Sequence, residues 1–503
     1  MQSRVCLCEG TPLAQGNQEG NLAATRSRAP EFPAGLEWFN VGSPVKLAGL
    51  RGRVVLLNFG TFGSVHCQQV LADLNYLAMK YRDALVIINV NSPRFPAEMR
   101  RSHVQQSILR HHVSYPVLHD PELKLWKTYG IKVWPTQVLI DHDGFILGGM
   151  SGAGKLPRLE QVISHQSTKC SVPASGQLPA VSAGNRREPA GVLSFPGKVL
   201  ATGNRLYIAD SGHHRVLAVS SNGQVLQQYG CGNPGFIDGT GTTAAFNSPR
   251  GMALAGEFLY VADQGNHAIR RIHIHTDDVV TIAGTGKAAG TGITAGLKPV
   301  EVELNAPGDL VFLDGKLFIA MTGLHQIWRL SLVANTIDVF SGSGQEGLAD
   351  GPPGLAMFAQ PAGLTLLGSQ LYSIDSGASA VREIDLESGA VSTLVGEGLF
   401  VCGNRDGIGS AARLQAPLGI AADPGHQMLW LVDTYNNKLR RIGMKTRNVA
   451  EVMLDRALDE PGGLAFHDDT LYIANTNAHE ILTLNPNNGH AESLNVTEEF
   501  IEI

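Results

Sequence analysis

The chain has 503 residues, a hydrophobic content of 43% and a formal net charge of −6, and it is too long for one ordinary core, which predicts two or three domains. It has no apolar run near the roughly 20 residues that a membrane-spanning helix needs, so we expect no membrane contact and a cytoplasmic location. Residues 1–189 hold 20 Lys and Arg against 13 Asp and Glu, whereas residues 190–503 hold 19 against 32. Because the acidic second part would repel phosphate groups, we expect no nucleic-acid ligand.

The pattern along the chain divides it into four segments. Residues 1–30 show no hydrophobic period, and we expect them to be disordered. Residues 31–165 alternate strand-like and helix-like patterns, and residues 166–190 are typical of a proline-containing linker. Residues 191–503 contain short strands broken by Gly, Asn and Asp. The expected order is therefore an α/β domain followed by an all-β domain.

The cysteines predict neither a disulfide framework nor a metal site. The chain has six cysteines, and they show no paired Cys-x-x-Cys spacing with histidine partners. Cys6-x-Cys8 falls in the first segment, where we expect a frayed tail rather than a reactive pair. We expect no metal and no cofactor.

The α/β segment opens with a strand-helix-strand rhythm. Residues 54–57 predict a buried strand, residues 68–82 a helix, and residues 84–90 a second strand. Alternation of this kind indicates a parallel sheet flanked by helices.

An internal repeat dominates the all-β segment. Each copy begins at a proline, continues through an apolar run and a turn, and then forms a second strand. That strand ends 14 residues after the proline in copies one to four and in copy six, and 16 residues after it in copy five. The prolines are Pro196, Pro249, Pro307, Pro361, Pro417 and Pro461. The second strands end at Asp210, Asp263, Met321, Asp375, Asp433 and Asn475. Two further strands complete each copy, and four strands per copy predict a six-bladed β-propeller.

The loops between copies predict the face that binds a partner. They carry Asp-Gly pairs, such as Asp238-Gly239 and Asp350-Gly351, and they are longer than a minimal blade requires. Such loops gather on one face of a propeller, and we expect a protein or peptide partner there.

A polar residue lies four positions beyond the end of each second strand. These residues are His214, His267, His325, Ser379, Asn437 and His479. The repeats resemble the NHL repeat, and some propellers similar to it are zinc lyases, so the histidines raise a metal hypothesis. Zinc ligands must all lie within roughly 2.0–2.1 Å of one ion, which equivalent turns of six blades cannot achieve. We expect these side chains to cap turns and the strand-ending aspartates to accept backbone hydrogen bonds.

Two stretches of the α/β segment resemble thioredoxin-like proteins. Residues 57–69 are similar to the turn between the first strand and the first helix, and residues 132–136 to the loop that carries a cis-proline, here Pro135. Together with the repeats, the chain resembles the NHL-repeat-containing protein family, which pairs a thioredoxin-like domain with a six-bladed propeller. The resemblance covers about residues 33–500 and implies an α/β thioredoxin-like domain followed by an all-β six-bladed NHL-type β-propeller.

The chain departs from that family at the chemical site. Members typically have a Cys-Cys-x-Asn-Cys run, and larger animal relatives add a C-terminal β-rich region, whereas this chain has Gly-Ser-Val-His-Cys at residues 63–67 and stops after the sixth copy. Ser64 stands where dithiol exchange needs the attacking cysteine. Asn58 replaces the usual buried acid, and Gly63 replaces the usual Trp. The broken dithiol motif, the complete blades and the long inter-blade loops predict a non-catalytic scaffold or a protein that binds proteins or peptides.

A second hypothesis is a monothiol oxidoreductase or a peroxiredoxin-like enzyme. Ser64-x-x-Cys67 resembles the Thr/Ser-x-x-Cys pattern of peroxiredoxins, in which the cysteine is catalytic and the hydroxyl orients it, although Gly60 stands where they place a proline. The helix N-terminus or a protonated His66 would favour a Cys67 thiolate. The opposing interpretation is a buried, inert Cys67 and an exposed turn residue at His66. A propeller lyase or hydrolase would instead need several His or acidic side chains in the central channel.

Overall fold

The computed structural model describes residues 27–170, 191–290, 298–486 and 488–498. Cys6-x-Cys8 and most of the two segments predicted to be disordered or linker lie outside the described residues. Residues 27–30, which the sequence predicts to be disordered, instead pair with residues 144–146 of the N-terminal domain: the Ala29 N–H donates to Gly144 O at 3.0 Å, and the Ile146 N–H donates to Ser27 O at 2.9 Å.

The N-terminal domain is one six-stranded sheet with helices on both faces. The strand order is β1-β4-β3-β2-β5-β6, with β2 parallel to β3 and β3 parallel to β4. The strands are β1 Glu37–Phe39, β2 Val54–Gly60, β3 Leu85–Asn91, β4 Val117–His119, β5 Thr136–Ile140 and β6 Ile146–Ser151. The helices are α1 Val65–Lys80, α2 Arg101–Arg110, α3 Lys124–Thr128 and α4 Leu156–Ser167. The predicted parallel strand-helix-strand unit is confirmed.

The alternation of side chains along β2 divides the core between the two faces of the sheet. Val54 and Leu56 join the cluster that buries α1, α2 and α4. Val55 and Leu57 join the cluster that buries α3 on the opposite face. Because every residue of β2 is buried, this strand lies at the centre of the domain and fixes the position of the turn that follows it.

The first helix begins earlier than the sequence predicts. Ser64 has an extended backbone, and α1 begins at Val65 rather than at Gln68. Cys67 therefore lies in the first turn of the helix.

The C-terminal domain is the predicted six-bladed propeller, in which each blade has four main strands. The first three blades contain β7 Lys198–Thr202, β8 Arg205–Asp210, β9 Arg215–Ser220, β10 Val225–Tyr229, β11 Gly239–Thr240, β12 Pro249–Ala255, β13 Phe258–Asp263, β14 Ala268–His273, β15 Asp278–Ala283, β16 Pro307–Leu313, β17 Lys316–Met321, β18 Gln326–Ser331 and β19 Thr336–Ser341. The last three contain β20 Pro361–Leu367, β21 Gln370–Asp375, β22 Ala380–Asp385, β23 Val391–Val395, β24 Gly407–Ile408, β25 Gly419–Asp423, β26 Met428–Asp433, β27 Lys438–Gly443, β28 Asn448–Val452, β29 Gly463–His467, β30 Thr470–Asn475, β31 Glu480–Asn485 and β32 His490–Ser493.

Apolar clusters between successive blades hold the ring together. Blades one and two share a cluster that includes Tyr207 and Phe246, and blades three and four share another that includes Phe358. The sixth blade packs on the first in the same way. A main-chain hydrogen bond reinforces this last junction. The N–H of Val225, in the outer strand of blade one, donates at 2.9 Å to the carbonyl oxygen of Thr497, which follows the last strand of blade six.

The N-terminal domain rests on one face of the propeller. That face, called here the loop face, is formed by the turns after the second strands and by the loops between blades. The Val65 N–H donates to Gln360 Oε1 at 3.0 Å, and the Ala97 N–H donates to Gln415 Oε1 at 2.9 Å. The start of α1 and the segment before α2 are therefore docked on the loop face.

Among the helices that the structure describes, none is both long enough and apolar enough to cross a membrane.

Candidate functional site

The turn between β2 and α1 is closed to solvent. Ser64 is 4% exposed and Cys67 is 2% exposed. Burial raises the pKa of the Cys67 thiol to about 12, although contacts with the Thr61 backbone and the Ser64 hydroxyl act in the opposite direction. An N-terminal helix turn usually stabilises a thiolate. Here desolvation outweighs that effect and keeps the thiol protonated.

Asn58 occupies the position of the usual buried acid and has a structural role. Its Nδ2 donates to Asn89 Oδ1 at 2.7 Å, and its Oδ1 accepts from Gln137 Nε2 at 3.1 Å. Three neighbouring strands are thereby tied together under the turn. An amide in this network cannot accept or release a proton from Cys67.

The expectation that His66 is an exposed turn residue is wrong. His66 lies in the first turn of α1, is partly buried, and places its Nε2 3.5 Å from the Nε2 of His325 in the propeller. Burial lowers the pKa of His66. The neutral imidazole therefore lacks the positive charge that would stabilise a Cys67 thiolate at neutral pH.

The Trp134–Pro135 peptide bond is cis, at the position where the resemblance places the thioredoxin-like proline. Pro135 is buried. Trp134 packs on Trp126 with ring centroids 4.4 Å apart, and its indole Nε1 donates to Ser92 O at 2.8 Å. The loop keeps the shape of the family although the thiol site beside it is incomplete.

Gly63 marks a close approach between the two domains. A Cβ atom at this position would lie 2.6 Å from Glu98 Oε1 and 2.7 Å from Tyr435 Oη. Glu98 is fully buried and accepts the N–H groups of Gly63 at 2.9 Å and Phe95 at 3.0 Å. The space that a Trp side chain would need before the first cysteine is thus filled by the propeller.

Sequence reasoning missed the residues that dock the two domains. Phe95 and Ala97 pack with Ala416 and Tyr435 in a small apolar cluster at the interface. These residues follow no period of the repeat or of the sheet, because they contact one another only after both domains have folded.

A buried charged group lies beside this cluster. Glu460 accepts from His103 Nδ1 at 2.6 Å and from Arg110 Nη2 at 3.3 Å. Burial opposes ionisation of Glu460, but His103 and Arg110 outweigh it and lower the pKa of the carboxyl to about 2. Glu460 is therefore an ionised group shared between the domains, with Arg110 as its counter-charge.

The six turn residues serve as structural acceptors, as the sequence predicts. In each blade, the side chain accepts the N–H of the residue that precedes the next blade's proline, and both residues have left-handed backbone conformations. The donor-acceptor pairs are Ser248–His214 at 3.0 Å, Ala306–His267 at 3.0 Å, Gln360–His325 at 3.1 Å, Ala416–Ser379 at 3.1 Å, Glu460–Asn437 at 2.9 Å and Phe195–His479 at 3.0 Å. These hydrogen bonds join neighbouring blades and compensate the strained backbone. Across the described ranges, no cluster of three or more His, Cys, Asp or Glu is suited to a metal ion.

The Asp-Gly pairs of the inter-blade loops are tied to buried arginines. Arg270 donates to Asp263 at 2.9 Å and to Asp238 at 2.8 Å. Arg382 repeats the arrangement with Asp375 and Asp350. These carboxylates hold the loops against the blades, so they are bound within the fold rather than offered to a ligand.

The centre of the loop face is occupied by the chain's own N-terminal domain, and the outer loops remain exposed. Apolar side chains protrude from them, with Phe236 39%, Leu355 69% and Phe400 69% exposed. A partner on the loop face would therefore meet these outer loops and not the central ring.

Comparisons with known proteins agree with this architecture. A thioredoxin-like family model matches residues 52–146. The chain is 36% identical to NHL repeat-containing protein 2 of Bos taurus, over 90% of this chain and 70% of that protein. It is 35% identical to NHL repeat-containing protein 2 of Homo sapiens, over 90% and 69%. It is 34% identical to the Arabidopsis thaliana protein SUPPRESSOR OF QUENCHING 1, chloroplastic, over 92% of this chain and 47% of that protein. The chain belongs to the family of NHL repeat-containing protein 2.

Proposed function

We propose that this protein is a non-catalytic scaffold that binds a protein or peptide, and that its thioredoxin-like domain serves as a fixed cap on the propeller. The observation that carries the proposal is the burial of Ser64, which is 4% exposed at the position where an active thioredoxin presents its attacking cysteine. The residues on either side, Gly63 and Val65, approach Tyr435 and Gln360 of the propeller. A disulfide substrate has no access to this position.

The monothiol hypothesis requires properties of Cys67 that this geometry opposes. A thiol reacts as its thiolate and needs access to its substrate. Cys67 is 2% exposed, and burial raises its pKa to about 12. The same burial is what a structural cysteine requires, because an uncharged thiol behaves as a small apolar side chain in a core.

The outer loops supply the surface on which a partner would bind. Phe236 and Ile237 protrude between blades one and two, and Phe400 and Val401 between blades four and five. Aromatic side chains are enriched in protein interfaces. Arg270 binds Asp238 in the first of these loops and Arg440 binds Asp406 in the second. Both loops are thereby fixed to their blades and would meet a partner with little loss of conformational entropy.

The experiment is site-resolved alkylation of the folded protein with iodoacetamide between pH 6 and pH 10, measured by mass spectrometry. Exposed Cys231 serves as the reference thiol within the same chain. We expect Cys231 to react while Cys67 stays unmodified until the protein is unfolded in urea.

The Cys67→Ser variant provides the control for function. We expect the variant and the wild-type protein to show the same rates of peroxide consumption and of glutathione-dependent disulfide reduction. Each rate should equal the background rate measured in buffer without protein. If folded wild-type protein alkylates at Cys67 with an apparent pKa well below the roughly 8.5 of a free thiol, the scaffold proposal is wrong and the monothiol enzyme takes its place.

A further inference from the structure

A cavity lies on the propeller axis, beneath the first turn of α1. Its volume is about 80 Å³, and the residue that follows each of the six blade prolines lines it together with residues of the N-terminal domain, among them Val65, Gln68 and Arg110. One buried water needs roughly 10–15 Å³ on the same measure. The cavity is therefore large enough for a small polyatomic ligand.

The lower end of the cavity is closed by a pair of opposite charges. The second residue after each blade proline faces the axis, and four of these six residues are glycines: Gly251, Gly363, Gly419 and Gly463. The other two are Lys198, which is half-buried, and Asp309, which is buried, and they form an ion pair across the axis. Asp309 also accepts the Leu364 N–H at 2.8 Å. This pair is internally neutral and needs no further ligand.

Arg250 has no such compensation. It is the first residue after its blade proline, where the other blades have Gly, Ala or Leu. It lines the cavity, and its Nε is buried without a hydrogen-bond partner. Within the part of the chain that the structure describes, no carboxylate forms an ion pair with Arg250. The residue as a whole is half-buried, and a cation withdrawn from water without a counter-charge lowers the stability of the fold.

A second arginine adds to the positive electrostatic potential that Arg250 creates in the cavity. Arg110 lines the same cavity, and its Nε is also buried without a partner, although its Nη2 is bound to Glu460. Burial lowers the pKa of Arg250 to about 10, and Arg110 contributes in the same direction, so Arg250 remains charged at neutral pH. Burial together with Arg110 and Arg250 lowers the pKa of His111 to about 3 and keeps it neutral.

The N-terminus of α1 faces the same space. Val65 and Gln68 belong to its first turn and line the cavity. The helix macrodipole places a partial positive charge there, which favours an anion. In an active thioredoxin the same field would stabilise a thiolate, whereas here Cys67 is protonated and the field is available to a ligand.

We propose that this cavity binds one small oxyanion, of the phosphate, sulfate or carboxylate class, with Arg250 as its principal partner. The guanidinium supplies a planar fork of donors that matches two oxygens of such an anion. Arg110 and the first turn of α1 add positive potential, and the Lys198–Asp309 pair closes the space below. This binding role is separate from the scaffold role and does not depend on it.

The test is equilibrium dialysis of the full chain against radiolabelled inorganic phosphate, with unlabelled sulfate and acetate as competitors at constant ionic strength. We expect one phosphate site for each chain and a rise in Tm with phosphate concentration, since a ligand that binds only the folded state stabilises it. Competition by sulfate alone assigns the site to tetrahedral anions, and competition by acetate assigns it to carboxylates as well.

Three variants make the test specific. Arg250→Gln should weaken phosphate binding at least tenfold, with its Tm in phosphate-free buffer equal to or above that of the wild type, because an unpaired charge has been removed. Arg158→Gln, at an exposed position on α4, should bind phosphate like the wild type. If Arg250→Gln fails to fold, Arg250→Lys replaces it in the test. This variant keeps the positive charge but lacks the planar guanidinium donors, and it should bind phosphate more weakly than the wild type. Absence of binding by all three anions, or equal binding by Arg250→Gln, would overturn the proposal.

Discussion

Residues at the start of α1 belong to the N-terminal domain and also contact the propeller. Val65 donates its backbone N–H to Gln360, and Gln69 donates to Asn305 Oδ1 at 2.5 Å. Gly63 allows the approach of Tyr435 because it has no Cβ. The same few residues that a thioredoxin uses for catalysis therefore determine how this domain binds the propeller.

A side chain at position 63 should weaken the docking of the domains. We expect Gly63→Ala to destabilise the protein by about 1–3 kcal/mol, because overfilling a packed site costs that much. The added methyl group would meet Glu98 and Tyr435, whose side chains are buried and cannot move away freely. Chemical denaturation and Cys67 alkylation would measure the change, with faster alkylation as the sign of undocking. Gly42→Ala is the matched control, since no atom lies within 4 Å of a Cβ there. Equal stability of the two variants would contradict this account of Gly63.

At the scale of the element, each blade is joined to the next through a turn side chain and a left-handed residue before the next proline. His267 illustrates the arrangement, because its Nδ1 accepts the Ala306 N–H at 3.0 Å. Blade five uses Asn437 in the same role. Asn tolerates the left-handed conformation and offers the same acceptor without titrating. Blade five therefore shows that asparagine can replace histidine in this turn.

His267→Asn should make the protein less sensitive to acid. Burial lowers the folded-state pKa of His267 to about 4, below its unfolded value of about 6.5. The unfolded state therefore binds the proton more readily, and the stability contributed by the neutral ring is present above pH 6.5 and is lost as the pH falls toward 4.

Between pH 7.5 and pH 5, we expect the variant to lose about 1–2 kcal/mol less stability than the wild type, as measured by urea denaturation at each pH. His165→Asn, at an exposed position on α4, is the control and should follow the wild-type profile. A pH profile of His267→Asn that matches the wild type would show that this ring does not titrate on unfolding in that range.

The local pattern of the sequence predicts these elements because their partners lie close along the chain. The proline and aspartate separated by 14 residues become partners in one hairpin, as in Pro249 with Asp263. The sequence predicts the start of α1 three residues too late, since Ser64 and Val65 carry no strong helix signal. Arg250, Lys198 and Asp309 could have been noticed from the sequence, because each departs from the residue types that the other blades have at its position.

At the scale of the molecule, contacts between domains were beyond prediction. Gln360, Gln415 and Glu460 resemble ordinary polar loop residues until the N-terminal domain is placed on them. Docking buries an apolar cluster, a carboxylate and the mouth of the axial cavity in one surface. We therefore expect the two domains to unfold as one cooperative unit, unlike domains connected only by a linker.

Glu460 should decide whether the domains unfold together. Its pKa of about 2 lies below the unfolded value of about 4.3, so its contribution is present above that pH and is lost as the pH falls toward 2. Glu460→Gln removes the counter-charge of Arg110, whose side chain is 17% exposed, and we expect this to cost about 3–5 kcal/mol.

We expect calorimetry at pH 7 to show one transition for the wild type and two for Glu460→Gln, with Cys67 becoming open to alkylation before the second transition. Glu122→Gln is the control, because it removes the partner of Lys124 in an ion pair whose side chains are 70% and 54% exposed. This control should cost less than about 1 kcal/mol and keep one transition. If Glu460→Gln still melts in one transition with Cys67 protected, the apolar cluster of Phe95, Ala97 and Tyr435 holds the domains together without the buried charge.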